Sequence, residues 1–190
     1  GPGHTPSRRQ IFSCRPERAS AEEACAKTIV ARLARQAFRR PVSNAEVSRL
    51  LTFYRSGRSK GSFDAGIQMA VRRILASPSF VFRAEEEPSS RAGRIQPVSD
   101  IDLASRLSFF LWSSLPDEEL LALAEKSRLR TPAVLEQQVR RMLADRRSEA
   151  LVRNFAGQWL HVRNLRNITP NHDEFPDFDD TLREAFRRET

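Results

Sequence analysis

The sequence predicts an all-α protein, about eight helices in an irregular, orthogonal bundle of two packed halves. Three observations carry that reading. Apolar residues recur at helical spacing through most of the 190 residues, cap signals precede those stretches, and one Pro/Ser/Gly-rich boundary lies near the middle. Hydrophobic residues make up 39% and Phe alone supplies 12, enough apolar surface to build a core and to exclude global disorder. No apolar run approaches the roughly 18 residues that cross a bilayer, so no transmembrane segment is expected. The opening GPGHTPSRRQ lacks the apolar stretch of a signal peptide. With REAFRRET breaking off inside a helical pattern, the chain reads as a fragment.

The first helix is expected over residues 22–40, with Ile29, Val30, Leu33 and Ala37 at helical spacing, a Ser20/Glu23 capping box and Pro41 as its stop. A Ser43/Glu46 capping box opens the second, through Val47, Leu50, Leu51 and Tyr54, with Gly57 as its stop. The third starts near Ser62, carries Ile67, Val71, Ile74 and Leu75, and ends at Pro78; SFVF then reads as helix resuming after a kink. Residues 86–98 form the boundary between an N-terminal domain, 1–90, and a second domain, 91–190, incomplete at its C-terminus. Ser99 with Asp102 caps the helix DLASRLSFFLW, expected at the centre of the second half. Ser114 with Asp117 caps the next, and Thr131–Pro132 starts another with Val134, Leu135, Val139 and Leu143 on one face. A long helix is expected around Leu151, Phe155, Trp159 and Val162. It is followed by an irregular stretch and a last helix capped by Asp179 or Asp180.

The net charge of +8 is uneven: residues 1–100 hold 18 basic and 9 acidic residues, and residues 101–190 hold 14 and 15. A basic half fits a polyanion partner or ordinary Arg-rich helix faces. Arg32, Arg35, Arg39, Arg40, Arg72 and Arg73 read better as a solvated face, because no helix-turn-helix or zinc-finger signature accompanies them and no nucleic acid is expected. The only cysteines, Cys14 and Cys25, admit a disulfide or two thiols packed apart; the absence of any other cysteine favours the bridge. Neither CxxC nor CxxCH occurs, so the chain has no thioredoxin-like pair and no haem attachment site of its own.

Several strings in order carry a resemblance. IFSCRP with EEACAKTIVARLARQAFRRPV, then GIQMAVRRILASPSFVFRAE, resembles one helical domain of the large exported, haem-associated (cytochrome c) multidomain proteins of planctomycetes. SDIDLASRLSFFLWSSLPDEELLALA, VRRMLADRRSEALVRNFAGQWLHVRNL and FPDFDDTLREAFRRET resemble the domain that follows it. The resemblance implies two consecutive interior domains of unknown function, a periplasmic or cell-surface location, and neighbouring domains of the same polypeptide as partners, a cytochrome c-like one among them. It places haem c in other domains only, and polysaccharide is a further partner it allows. An exported location also favours the Cys14–Cys25 disulfide.

No catalytic constellation and no metal or cofactor site emerges. His161, His172, Asp173 and Glu174 are the functional candidates. His172, Asp173 and Glu174 are adjacent, and adjacent side chains seldom converge on one ion. With Asp177, Asp179 and Asp180 they form an acidic loop, not two carboxyls held across a cleft as a glycosidase needs. His161, Met69 and Met142 are conceivable axial ligands to a haem held elsewhere, yet methionines at helical spacing are usually core. Phe109, Phe110, Trp112, Phe155 and Trp159 read as core, with a sugar-stacking platform as the rival. On the core reading Trp159→Ala costs about 3–5 kcal/mol. The expected function is therefore a non-catalytic structural or docking module. The alternatives are part of an oxidative or polysaccharide-directed enzyme completed by other domains, or a carbohydrate-binding helical module.

Overall fold

A computed structural model describes residues 5–82 and 97–189. It is all-α, with no strand among the described residues. The chain order is α1 (Pro6–Ile11), α2 (Glu22–Phe38), α3 (Asn44–Arg58), α4 (Phe63–Leu75), α5 (Pro78–Val81), α6 (Asp100–Trp112), α7 (Glu118–Glu125), α8 (Pro132–Ala144), α9 (Glu149–Leu151), α10 (Gly157–Trp159) and α11 (Asp180–Glu189). A π-helical turn, Val152–Ala156, joins α9 to α10, and a 3-10 stretch, Val162–Arg166, follows. Most of the expected boundary falls on residues 83–96, outside the described residues.

In the first half α2, α3 and α4 pack around Ala26, Ile29, Val30, Ala34, Leu51, Ile67 and Ala70, each nearly or fully buried. The Ser43 cap forms as expected: its hydroxyl accepts from Glu46 N at 3.2 Å, and the Glu46 carboxylate accepts from Ser43 N at 2.8 Å. Arg40, aided by that backbone bond, holds the Glu46 carboxyl down to about 2. The Ser20/Glu23 capping box does not form. Ala19–Ala21 is a 3-10 turn that leads straight into α2, so Glu22 and Glu23 are drawn to α3. Glu22 accepts from the Tyr54 hydroxyl at 2.8 Å and pairs with Arg58; Glu23 pairs with Arg55.

Gly57 does not stop α3 either. It is buried inside the helix, and a Cβ there would lie 2.6 Å from the Ala65 carbonyl oxygen and 2.8 Å from the Met69 Cβ. Gly66 answers on α4, where a Cβ would fall 2.6 Å from the Tyr54 ring. The two glycines let the helix backbones touch, and that contact outweighs the poor helix propensity of glycine. α4 ends at Leu75, short of Pro78, and helix resumes beyond it as expected: Ser77 caps α5, and Pro78 takes the first-turn position that needs no N–H.

Cys14 and Cys25 are disulfide-bonded, with Cα atoms 5.9 Å apart. The bridge straps α1 and its following segment onto the bundle. Ile11 and Phe12 pack against the first core, and polar contacts hold the segment as well. Arg8 and Arg15 both pair with Asp64, and Arg32 donates to the Ile11 carbonyl at 3.0 Å. α2 ends at Phe38, before Pro41, through Arg39 in the left-handed region at φ 58°. That conformation costs a non-glycine residue about 1–2 kcal/mol. Its guanidinium offsets the cost by donating to the carbonyls of Ser79 at 3.2 Å and Phe82 at 3.4 Å.

The second half has its own cluster of Ala104, Leu111, Trp112, Leu120, Ala124, Leu129 and Met142. α6 sits at its centre, against α7, α8 and α9. Ser99 caps α6 through Asp102 N at 3.1 Å. Asp117 itself caps α7, with Leu120 N donating to it at 3.0 Å, and Ser114 has no part. The ring of Pro116 forces the preceding residue toward extended backbone, so the helix cannot start earlier. On α8 the inward face is Leu135, Gln138 and Met142, rotated from the expected Val134–Leu143 stripe; Leu143 is exposed. Gln138 is tolerated inside because its amide donates to Glu119 at 2.7 Å. One side chain clamps the halves together. Arg35 on α2 donates from Nε and Nη2 to Glu125 at 2.7 and 3.0 Å, and from Nη1 to both Glu118 oxygens at 2.6 Å.

Candidate functional site

The long helix expected around Leu151, Phe155 and Trp159 is broken. An i→i+5 turn over Val152–Ala156 inserts an extra residue into the helical register. Residues four and eight beyond Leu151 therefore rotate off the face that Leu151 packs against the core. Asn154 pins this turn to the end of α6, donating to the Ser113 hydroxyl at 2.6 Å. The helix ends at Leu160, and His161 adopts φ 53°.

The aromatic group consequently splits. Trp112 is core: it is buried, its indole N–H donates to the Met142 carbonyl at 2.9 Å, and the Arg147 guanidinium lies 3.4 Å from its ring centre. Phe109, Phe110, Phe155 and Trp159 are exposed, which corrects their placement in the core. Phe110 meets Phe155 edge-on at 5.8 Å, and Phe155 stacks on Trp159 at 6.1 Å with an interplanar angle of 26°. Phe110 is 55%, Phe155 52% and Trp159 70% exposed. Rings of this size have areas of about 150–250 Å², so the three together present on the order of 300 Å² of aromatic surface. A patch of that size is comparable to the largest apolar patch of an ordinary monomer, which often has a functional role.

His161, two residues after Trp159 in the chain, is exposed. His172, Asp173 and Glu174 lie in an exposed turn in which the Asn171 side chain accepts from Asp173 N at 3.2 Å. Asp179 caps α11, accepting from Leu182 N at 2.7 Å, and Asp180 pairs with Arg183. Among the described residues no three His, Cys, Asp or Glu side chains gather into a metal-binding group. Met142 is fully buried in the second core, and Met69 is half-buried against α3. The arginines expected on a solvated face are mostly engaged: Arg32, Arg35 and Arg39 bind the groups named above, Arg40 pairs with Glu46, and Arg73 lies over the Phe53 ring.

A second surface went unread in the sequence. Leu165, Ile168, Phe175, Phe178, Leu182 and Phe186 line an open apolar cleft of about 500 Å³, with Glu174 and Asp177 at its edge. Only the Leu182–Phe186 spacing signals it. Ile168, Phe175 and Phe178 come from turns that carry no periodicity.

Among the described residues these geometries offer apolar and stacking contacts and no converged acid, base or nucleophile. No curated protein and no solved structure matches the chain. Two family models match it: residues 25–85 fit PSD5, described as a protein of unknown function (DUF1595), and residues 98–190 fit PSD4, described as a protein of unknown function (DUF1592), so the chain is similar to two domains of unknown function in succession.

Proposed function

We propose that the chain is a non-catalytic docking module of an exported, haem-associated multidomain protein. Residues 1–90 and 91–190 are its two consecutive helical domains, and the Phe110–Phe155–Trp159 face packs against a neighbouring domain of the same polypeptide. The single observation that carries the reading is that stack of exposed aromatic rings, held on a π-turn pinned to α6. Interface cores are rich in Trp, Phe and Tyr because each buries much area at little conformational cost. The disulfide fits a periplasmic or cell-surface setting, since such bonds persist in oxidising compartments. Among the described residues no helix is long and apolar enough to cross a membrane. Hydroxyl-radical footprinting tests the proposal: Phe155 and Trp159 should be oxidised severalfold more slowly in the longer polypeptide than in this chain alone. Equal rates would reject it.

The near-parallel Phe155–Trp159 stack favours a second reading, a carbohydrate-binding module, because a flat indole face also stacks on sugar rings. Titration with soluble β-1,4-glucan oligosaccharides, followed by Trp fluorescence, separates the two. A saturable change lost in Trp159→Ala supports sugar binding, and a flat titration leaves docking.

A further inference from the structure

We propose that Arg35 is a latch between the two halves, and that releasing it lets them swing against one another as separate bodies. The inference is independent of the aromatic face and concerns how the halves are joined. The apolar cluster of the first half is built from and flanked by residues between Ile11 and Phe80, and that of the second by residues between Ile101 and Leu151. Among the described residues no hydrophobic side chain is common to both clusters. Each half therefore keeps its own core when the contact between them changes. Domains joined without a large shared apolar surface move relative to one another by default.

The joint is built around one arginine and two carboxylates. Glu118, Leu121 and Glu125 follow at three- and four-residue spacing, so they share one face of α7. Arg35 reaches that face from α2, forked on Glu125 through Nε and Nη2 and donating to both Glu118 oxygens through Nη1. Leu121, between the two carboxylates in the helical register, is fully buried, so the ion pairs flank an apolar residue. The two pairs differ in strength. The Glu125 side chain is 24% exposed and takes the bidentate fork, the stronger geometry. Glu118 is 64% exposed, and a pair that open to water contributes little. One turn beyond Arg35 the halves leave space between them. Phe38, Arg39 and Phe82 of the first half and Ile101, Asp102 and Ser105 of the second line a cavity of about 670 Å³. Such a joint holds one arrangement while its ion pairs last and has room for another once they break.

Double electron–electron resonance on the whole chain tests the latch. Spin labels go on Ser56→Cys in the first half and Gln137→Cys in the second, both exposed positions, with the native cysteines kept in their disulfide. With Arg35 in place the pair should give one narrow distance distribution. Arg35→Ala should broaden it severalfold. Glu118→Gln with Glu125→Gln breaks the same contacts from the α7 side and should broaden it in the same way. A label pair inside the first half, Ser56→Cys with Ala76→Cys, should stay narrow in every variant. A distribution between the halves that stays narrow in either latch variant overturns the inference. So does broadening of the inner pair, which would assign Arg35 and its glutamates to the stability of the first half rather than to the joint.

Discussion

The N-terminal bundle and the chain beyond α8 use similar residues to opposite ends. In the bundle, most apolar side chains at helical spacing are closed in, and Leu75 at the end of α4, expected on the apolar stripe, is about half exposed instead. Ile29, Val30 and Ile67 are essentially inaccessible, a disulfide straps the entering segment, and two glycines bring α3 and α4 into backbone contact. Beyond α8, Phe155, Trp159, Leu160, Phe175 and Phe186 stand about half exposed or more. Helical spacing states only that residues share a face; whether that face meets a core depends on what the rest of the chain supplies. Helices α2 to α4 supply one another. The segment after α9 is turned outward by a π-turn and finds no third layer among the described residues.

The sharpest way to break this contrast is to cut into the closed half. Ile29→Ala should cost about 2–5 kcal/mol, the range for emptying a tightly packed site, read from urea denaturation. Reduction of Cys14–Cys25, or Cys14→Ser with Cys25→Ser, should lower stability by about 2–3 kcal/mol, the cost expected for losing a short-loop bridge. A melting temperature unmoved by reductant would mean that Arg8, Arg15 and Arg32 hold the segment without it.

Gly57→Ala is more discriminating, because propensity and packing oppose each other there. Alanine is favoured by about 1 kcal/mol in a helix interior. A Cβ at 2.6 Å from a carbonyl oxygen forces α3 and α4 apart, and overpacking costs about 1–3 kcal/mol. Net destabilisation is expected; a stabilised variant would contradict the close approach.

The smallest effect in the bundle is pH-dependent. Folding lowers the Glu46 carboxyl to about 2, mainly through Arg40 and the Ser43 N–H, from an unfolded value of about 4.3. The stability it contributes is complete above the unfolded value and is lost as pH falls through the folded one. The difference between wild type and Glu46→Gln should therefore be constant above about pH 5 and vanish toward pH 2. A difference independent of pH would remove the Arg40–Glu46 pair from the account.

Much of this was legible in the sequence. The all-α class, the Ser43 capping box, the helix start near Ser62, the cap at Ser99, and the pairing of the cysteines follow from local chemistry, which a cap residue or a short loop carries within itself. What was not legible depends on partners distant in the chain. Gly57 looked like a terminator because its neighbour Ala65 cannot be seen from position 57. Glu23 looked like half of a capping box because Arg55 was not yet in view. Phe155 and Trp159 looked like core because a π-turn has no compositional mark that separates VRNFA from ordinary helix. The apolar cleft was missed because turn residues contribute half of it without any period.

The stability of Trp159→Ala is the most direct test of the central claim, that the second half keeps an aromatic face outside its core. With the indole exposed and supported mainly by the Phe155 stack, the account predicts a loss below about 1.5 kcal/mol by urea denaturation, the range of one aromatic pair. A loss of about 3–5 kcal/mol, as for a buried tryptophan, would return Trp159 to the core and leave no aromatic docking face.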